Sequence, residues 1–96
     1  MKYEFHPEAL QDYAEAVQFF VQYDKHQDFI DTIENSIFRI VGAPRRWPLV
    51  EGKIRRYLTS KFSYAIFYRV YSDRIVIAAV MSCRRDPSYW KERGLS

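Results

Sequence analysis

Phe62-Ser63-Tyr64-Ala65-Ile66-Phe67-Tyr68-Arg69, a turn at Ser72-Asp73 and then Ile75-Val76-Ile77-Ala78-Ala79-Val80 are the residues that decide the fold. The first segment is rich in aromatic and β-branched residues between turn signals, and reads as a strand from Phe62 or Ser63 to Tyr71. The second is a continuous apolar run, the pattern of a central strand covered on both faces, and extends over residues 74–82. A turn this short joins the two as antiparallel neighbours. Directly afterwards come Arg84-Arg85-Asp86-Pro87-Ser88-Tyr89-Trp90. Asp86 is suited to cap, and Pro87 to open, a short terminal helix ending near Glu92. The two strands thus deliver guanidinium and aromatic groups to one end of the molecule, a combination suited to an anionic or flat partner.

Upstream, residues 1–5 alternate weakly and read as a strand. His6 is placed to cap a helix that has Pro7 at its first position and Glu8 and Asp12 near the positive end of its dipole. Leu10, Tyr13, Ala14, Val17, Phe20 and Val21 form its expected apolar face. Tyr23-Asp24-Lys25 breaks that pattern, and Asp24 with Gln27 resembles a capping box for a second helix. Ile30, Ile33, Ile37 and Ile40 supply the apolar stripe of that helix, Gly42 ends it and Pro44 prevents its return. Residues 43–52 read as a loop containing Trp47, expected as a lid over the core, and residues 54–58 as a strand. The expected order is β-α-α-β-β-β with a short C-terminal helix. This is an α+β domain with a helical hairpin packed on one face of a mostly antiparallel four-stranded sheet. The hairpin covers one face only, so the C-terminal segment or a partner must shield the other.

Ninety-six residues with 48% apolar composition suffice for one domain and a core. The net charge of +3 hides an asymmetry. Residues 1–43 carry three basic and eight acidic groups, a balance of −5, whereas residues 44–96 carry twelve basic and four acidic, a balance of +8. Ten of the fifteen basic residues are Arg, which suits bidentate contact with phosphate or carboxylate. Nucleic acid and an acidic protein both fit such a surface. A single cysteine, Cys83, excludes an internal disulfide and is expected as a packed small residue. His6 and His26 lie far apart, so neither a metal nor another cofactor is expected. No apolar run approaches the ~18 residues of a bilayer span, and the first residues lack a secretory apolar region. A soluble cytoplasmic protein is the expectation.

Several segments, in this order, resemble the RelE/ParE superfamily of toxins from bacterial type II toxin–antitoxin modules. They are Phe5-His6-Pro7-Glu8-Ala9, Ile40 to Pro44, Arg55-Arg56-Tyr57-Leu58, Phe62 to Tyr68, and Ile77 to Val80 leading to Arg85-Asp86-Pro87-Ser88-Tyr89-Trp90. The resemblance implies a small toxin neutralised by a cognate antitoxin that wraps it. The basic half of the chain independently suits an acidic segment that folds on binding.

Two actions occur on this fold: ribosome-dependent mRNA cleavage in the RelE-like branch, and poisoning of DNA gyrase by binding in the ParE-like branch. Where the nuclease branch has alternating lysines on the first meander strand, this chain has Arg56 and Leu58. Where it has Arg after the Tyr of the next strand, this chain has Ala65 after Tyr64. The end of the last strand reads Ser82-Cys83-Arg84-Arg85, with Ser82 where many relatives have His, and Tyr89 stands at the expected place. The nuclease set implied by the resemblance is Arg56, Arg84, Arg85 and Tyr89. Arg55, Lys61, Arg69, Trp90, Lys91 and Arg93 are the expected contacts with antitoxin or target. Because Arg55 and Arg56 point to opposite faces of their strand, only one of them meets the open surface. Most of the nuclease positions are replaced, so ParE-like binding to gyrase is preferred, with mRNA cleavage and a non-toxic interaction module as alternatives.

Overall fold

The structure, a computed structural model, describes residues 1–94. The apolar run forms β5 (Arg74–Ser82), and its hairpin partner forms β4 (Tyr64–Val70). β1 (Lys2–Phe5) lies parallel to β5 on its other side, while β3 (Ile54–Leu58) and the short β2 (Leu49–Glu51) continue antiparallel beyond β4. The sheet order is β1-β5-β4-β3-β2. There are therefore five strands; β2 lies in the segment expected as loop, because its exposed Leu49, Val50 and Glu51 show no alternation of buried and exposed positions. One residue of β5 is bulged out: Phe67 pairs with Ala79 and Tyr68 with Ile77, leaving Ala78 without an opposite residue.

α1 (Pro7–Val21) and α2 (His26–Gly42) form the expected hairpin on one face of the sheet. His6 Nδ1 accepts from the Glu8 N–H and caps α1, as expected. Asp24 plays a different part from the one expected. It adopts left-handed backbone (φ 55°), and the Lys25 and Asp24 N–H groups donate to the Phe20 and Val21 carbonyls. It therefore closes α1 in a Schellman-like turn and does not cap α2. The buried face of α1 is also rotated from the expected one. Ala9, Asp12 and Ala16 are buried, whereas Leu10, Ala14 and Val21 are exposed. Two alanines allow α1 to lie close to the sheet, and a buried carboxylate is not expected from hydrophobicity alone.

Alternation along β3 to β5 divides the core in two. Tyr57, Ile66, Tyr68, Ile75, Ile77 and Val80 face the helices and meet Phe29, Ile33, Ile37 and Ile40 of α2. Trp47 packs at the edge of this layer with its ring 4.8 Å from that of Tyr57. Ile54, Ala65, Phe67, Ala78, Ala79 and Met81 form the second cluster, covered by Trp90 from a C-terminal 3-10 helix (Pro87–Arg93). Asp86 caps that helix by accepting from the Ser88 N–H, and Gly94 ends it in the left-handed conformation (φ 74°). The C-terminal segment is thus part of the cover on the far face. Trp90 is 1% exposed and its ring lies 5.4 Å from that of Phe67. Trp90→Ala is expected to cost about 3–5 kcal/mol of stability, seen as a lower urea midpoint; an unchanged midpoint would mean that the 3-10 helix does not hold the second cluster closed.

Tyr68 is fully buried and donates to the Pro44 carbonyl at 2.7 Å, and burial pushes its hydroxyl pKa up to about 12 despite the nearby Arg55 charge. In the unfolded chain a tyrosine ionises near ~10. The stability linked to Tyr68 is therefore intact below about pH 10 and lost as pH rises through 12. Denaturant melts across that window should show falling stability, with a shallower fall in Tyr68→Phe; equal slopes would contradict this.

Candidate functional site

The site begins where β1 stops. The last β1–β5 pair is Phe5–Ile77, after which the chain turns into α1, leaving β5 from Ala78 onward without a neighbouring strand on that side. Backbone groups there need other partners. The Ala78 carbonyl accepts from Arg93 Nη1 at 2.8 Å, and the Val80 N–H donates to Asp12 Oδ2 at 3.2 Å. Arg93 and Asp12 also form a two-pronged ion pair, with distances of 2.7 and 3.0 Å and both side chains almost wholly buried. The Tyr89 hydroxyl donates to Asp12 Oδ1 at 3.3 Å. One carboxylate therefore joins α1, the open edge of β5 and the C-terminal 3-10 helix.

Beside this joint lies a groove of about 610 Å³ between the second half of α1 and the ends of β4 and β5. Its apolar lining includes Ala16, Phe19, Phe20, Phe62, Tyr64 and Val80. The ring centroids of Phe20 lie 5.1 Å from Phe19 and 4.9 Å from Phe62, so the rings form a continuous ledge that runs into solvent at Phe19, which is 50% exposed. Arg84 and Arg85 stand at one end, and Glu15 on the helical side. Phe62 and Ser63 both adopt left-handed backbone, with φ of 71° and 52°. Neither is glycine, and such strain concentrates at functional sites. Burial raises the Tyr64 hydroxyl pKa, and the Arg85 charge acts against that rise.

The structure separates the expected site residues into groups. Arg84 and Arg85 are exposed and make no ion pair among the described residues. The Arg85 guanidinium lies 4.5 Å from the centroid of the Tyr89 ring, and that of Arg93 lies 4.8 Å from the same ring. Arg56 pairs with Phe67, so it shares the sheet face of the 3-10 helix, where it is exposed. Arg55 faces the helical layer and donates to the carbonyls of Arg45 and Trp47, fastening the loop before β2. Arg56 is thus the one on the open surface. The Arg69 guanidinium lies over the Tyr71 ring at 4.6 Å. Lys61 pairs with Asp28 and Lys91 with Glu51, both at 3.1 Å on the surface, where such pairs contribute little.

Of the expected contact residues, Trp90 fills the second core cluster and Arg93 pairs with Asp12. Cys83 also departs from expectation, being exposed because its position lies past the buried run of β5. Sequence reasoning missed Asp12, Phe19, Phe20 and Phe62 as parts of the site. The available signal was an acidic residue between the apolar positions 9, 13 and 16, with surplus arginine in the tail.

Among the described residues no group of His, Cys, Asp and Glu could hold a metal ion, and no helix is long and apolar enough to cross a membrane. The family described as ParE toxin of type II toxin-antitoxin system, parDE, matches residues 3–87, and the chain belongs to that family. No curated protein matches the chain. The family implies a cognate antitoxin as partner.

Removing Asp12 leaves the buried Arg93 with only the exposed Glu8 carboxylate, 3.9 Å from its Nε, as counter-charge, so Asp12→Ala is expected to lower stability by about 3–5 kcal/mol. Replacing both partners in the Asp12→Leu/Arg93→Met variant should recover most of that loss in denaturant unfolding; a single variant as stable as the unaltered chain would contradict the assigned role of the pair.

Proposed function

We propose that this toxin arrests growth by binding DNA gyrase in the ParE-like manner, and that its antitoxin is an acidic segment that folds on the toxin. The observation that carries this reading is the state of Tyr89. Its hydroxyl is committed to Asp12 and two guanidinium groups lie against its ring, so it acts as a strut on the exposed side of the Asp12–Arg93 joint. General acid–base work on a ribose hydroxyl needs a group within hydrogen-bond reach of the reacting proton and free to exchange one. The small Ala65, buried in the second cluster, stands where the nuclease branch would have an arginine. Arg84 and Arg85 remain as exposed cations suited to a carboxylate-bearing or phosphate-bearing surface. Arg56 extends positive charge onto the other sheet face.

The discriminating experiment is expression of the chain without antitoxin, followed by assays of purified gyrase and of cellular mRNA. Growth arrest is expected, with gyrase supercoiling inhibited and messages intact. Tyr89→Phe keeps the ring and is expected to retain arrest, whereas Arg84→Ala/Arg85→Ala is expected to weaken it at least tenfold. Message cleavage on translating ribosomes that Tyr89→Phe abolishes would establish the ribosome-dependent nuclease instead. Harmless overexpression would leave a non-toxic interaction module.

A further inference from the structure

A second cleft lies where the last turn of α2, the loop before β2 and the end of β3 meet. Its volume is about 470 Å³, within the range of ~300–1,000 Å³ typical of small-ligand sites. It shares no lining residue with the groove beside Asp12. Arg39, Arg46, Trp47 and Tyr57 supply its polar side-chain groups, and no carboxylate is among its lining residues. Arginine and tryptophan side chains offer donors only. Neither Arg39 nor Arg46 makes an ion pair among the described residues. Tyr57 is 6% exposed, yet its hydroxyl has no hydrogen-bond partner among the described residues and is not sealed from solvent. Leaving a largely buried hydroxyl without a partner costs free energy that a bound acceptor recovers.

We propose that this cleft binds the phosphate of a nucleotide, with Arg39 and Arg46 on the phosphoryl oxygens, the Tyr57 hydroxyl donating to one of them, and the base against Trp47 and Leu58. A lining that donates and carries no carboxylate selects an anion, and the planar guanidinium fork fits phosphate. The half-buried Trp47 and the exposed Leu58 give a flat base an apolar wall. The Arg46 guanidinium already lies 5.6 Å from the centroid of the Trp47 ring, and the Tyr57 ring meets the same indole, so little ordering is left for the ligand to impose. The Ala43 N–H donates to the Arg39 and Ile40 carbonyls, which lessens the repulsion that the end of α2 exerts on an anion. Arg39 and Tyr57 also line a smaller hollow of about 160 Å³, which carries Asp28 and Asp31, with Lys61 already paired to Asp28. That acidic side repels a continuous phosphate chain. The ligand is therefore short, either a free nucleotide or the phosphorylated end of a strand. Arg84 and Arg85 lie outside this cleft, so the site stands apart from the proposed gyrase contact.

The test is titration of the purified chain with adenosine monophosphate, read by calorimetry and by NMR shifts, with the folding of variants checked by circular dichroism. Shifts are expected at the Trp47 indole and at the Arg39 and Tyr57 amides. Arg39→Ala/Arg46→Ala is expected to weaken binding at least tenfold, and Tyr57→Phe, which keeps the packed ring, at least threefold. Lys2→Ala/Lys25→Ala removes the same charge from exposed positions outside the cleft and should change the affinity less than twofold. Adenosine and inorganic phosphate are each expected to bind at least tenfold more weakly than the monophosphate. A terminally phosphorylated tetranucleotide that binds more tightly, with the same sensitivity to Arg39 and Arg46, assigns the site to a strand end; equal or weaker binding assigns it to the free nucleotide. Absence of saturable binding of the monophosphate, an affinity unmoved by Arg39→Ala/Arg46→Ala, an equal loss in the lysine variant, or inorganic phosphate binding as tightly as the nucleotide would overturn the proposal.

Discussion

The Asp12 carboxylate is the constraint on which the arrangement of the molecule depends. It is carried by α1, receives the Val80 N–H from a strand edge and holds the Arg93 guanidinium between itself and the Ala78 carbonyl. Taking two charges out of water costs several kcal/mol for each, offset here by hydrogen bonds to both Asp12 oxygens and from both terminal nitrogens of Arg93. The result is positional. The short β1 leaves part of β5 uncovered, and the buried pair turns that deficit into an anchoring point for the C-terminal segment. Anchoring in turn brings Trp90 over Phe67, which gives the second sheet face its cover.

Division of labour among the arginines follows from this geometry. Arg93 is structural, Arg55 holds a loop, and Arg84, Arg85 and Arg56 stay in solvent. The surplus positive charge of the second half of the chain is therefore concentrated in only a few available groups. Those at the end of β5 adjoin an aromatic groove and a strained turn at Phe62–Ser63, where apolar surface, open backbone and cationic side chains meet. Membership of the ParE toxin family implies a cognate antitoxin as partner of the chain.

Much of the fold was legible in the residues themselves. The apolar run Ile75–Val80 identified the central strand, Ile33, Ile37 and Ile40 the buried stripe of α2, and Asp86-Pro87 the terminal turn. The site was less legible, for specific reasons. Asp12 looked like a dipole-complementing surface acid because its partner is far off in sequence, at Arg93. Trp90 and Arg93 looked available because composition does not distinguish a side chain that closes the core from one that meets a partner. Phe19 and Phe20 are adjacent on α1, and helical periodicity alone did not show that one would pack while its neighbour formed a ledge. Arg55 and Arg56 were assigned to faces only by the strand register.

The most direct measurement is residue-resolved amide exchange at Val80 in the unaltered chain and in Asp12→Asn. If the carboxylate holds both the strand edge and the tail, the Val80 amide exchanges only through openings as rare as those of the buried β4–β5 ladder, and Asp12→Asn raises its rate together with that of residues 89–93. A Val80 amide that exchanges as freely as an unprotected edge in the unaltered chain, or that is unmoved by Asp12→Asn, would contradict the account.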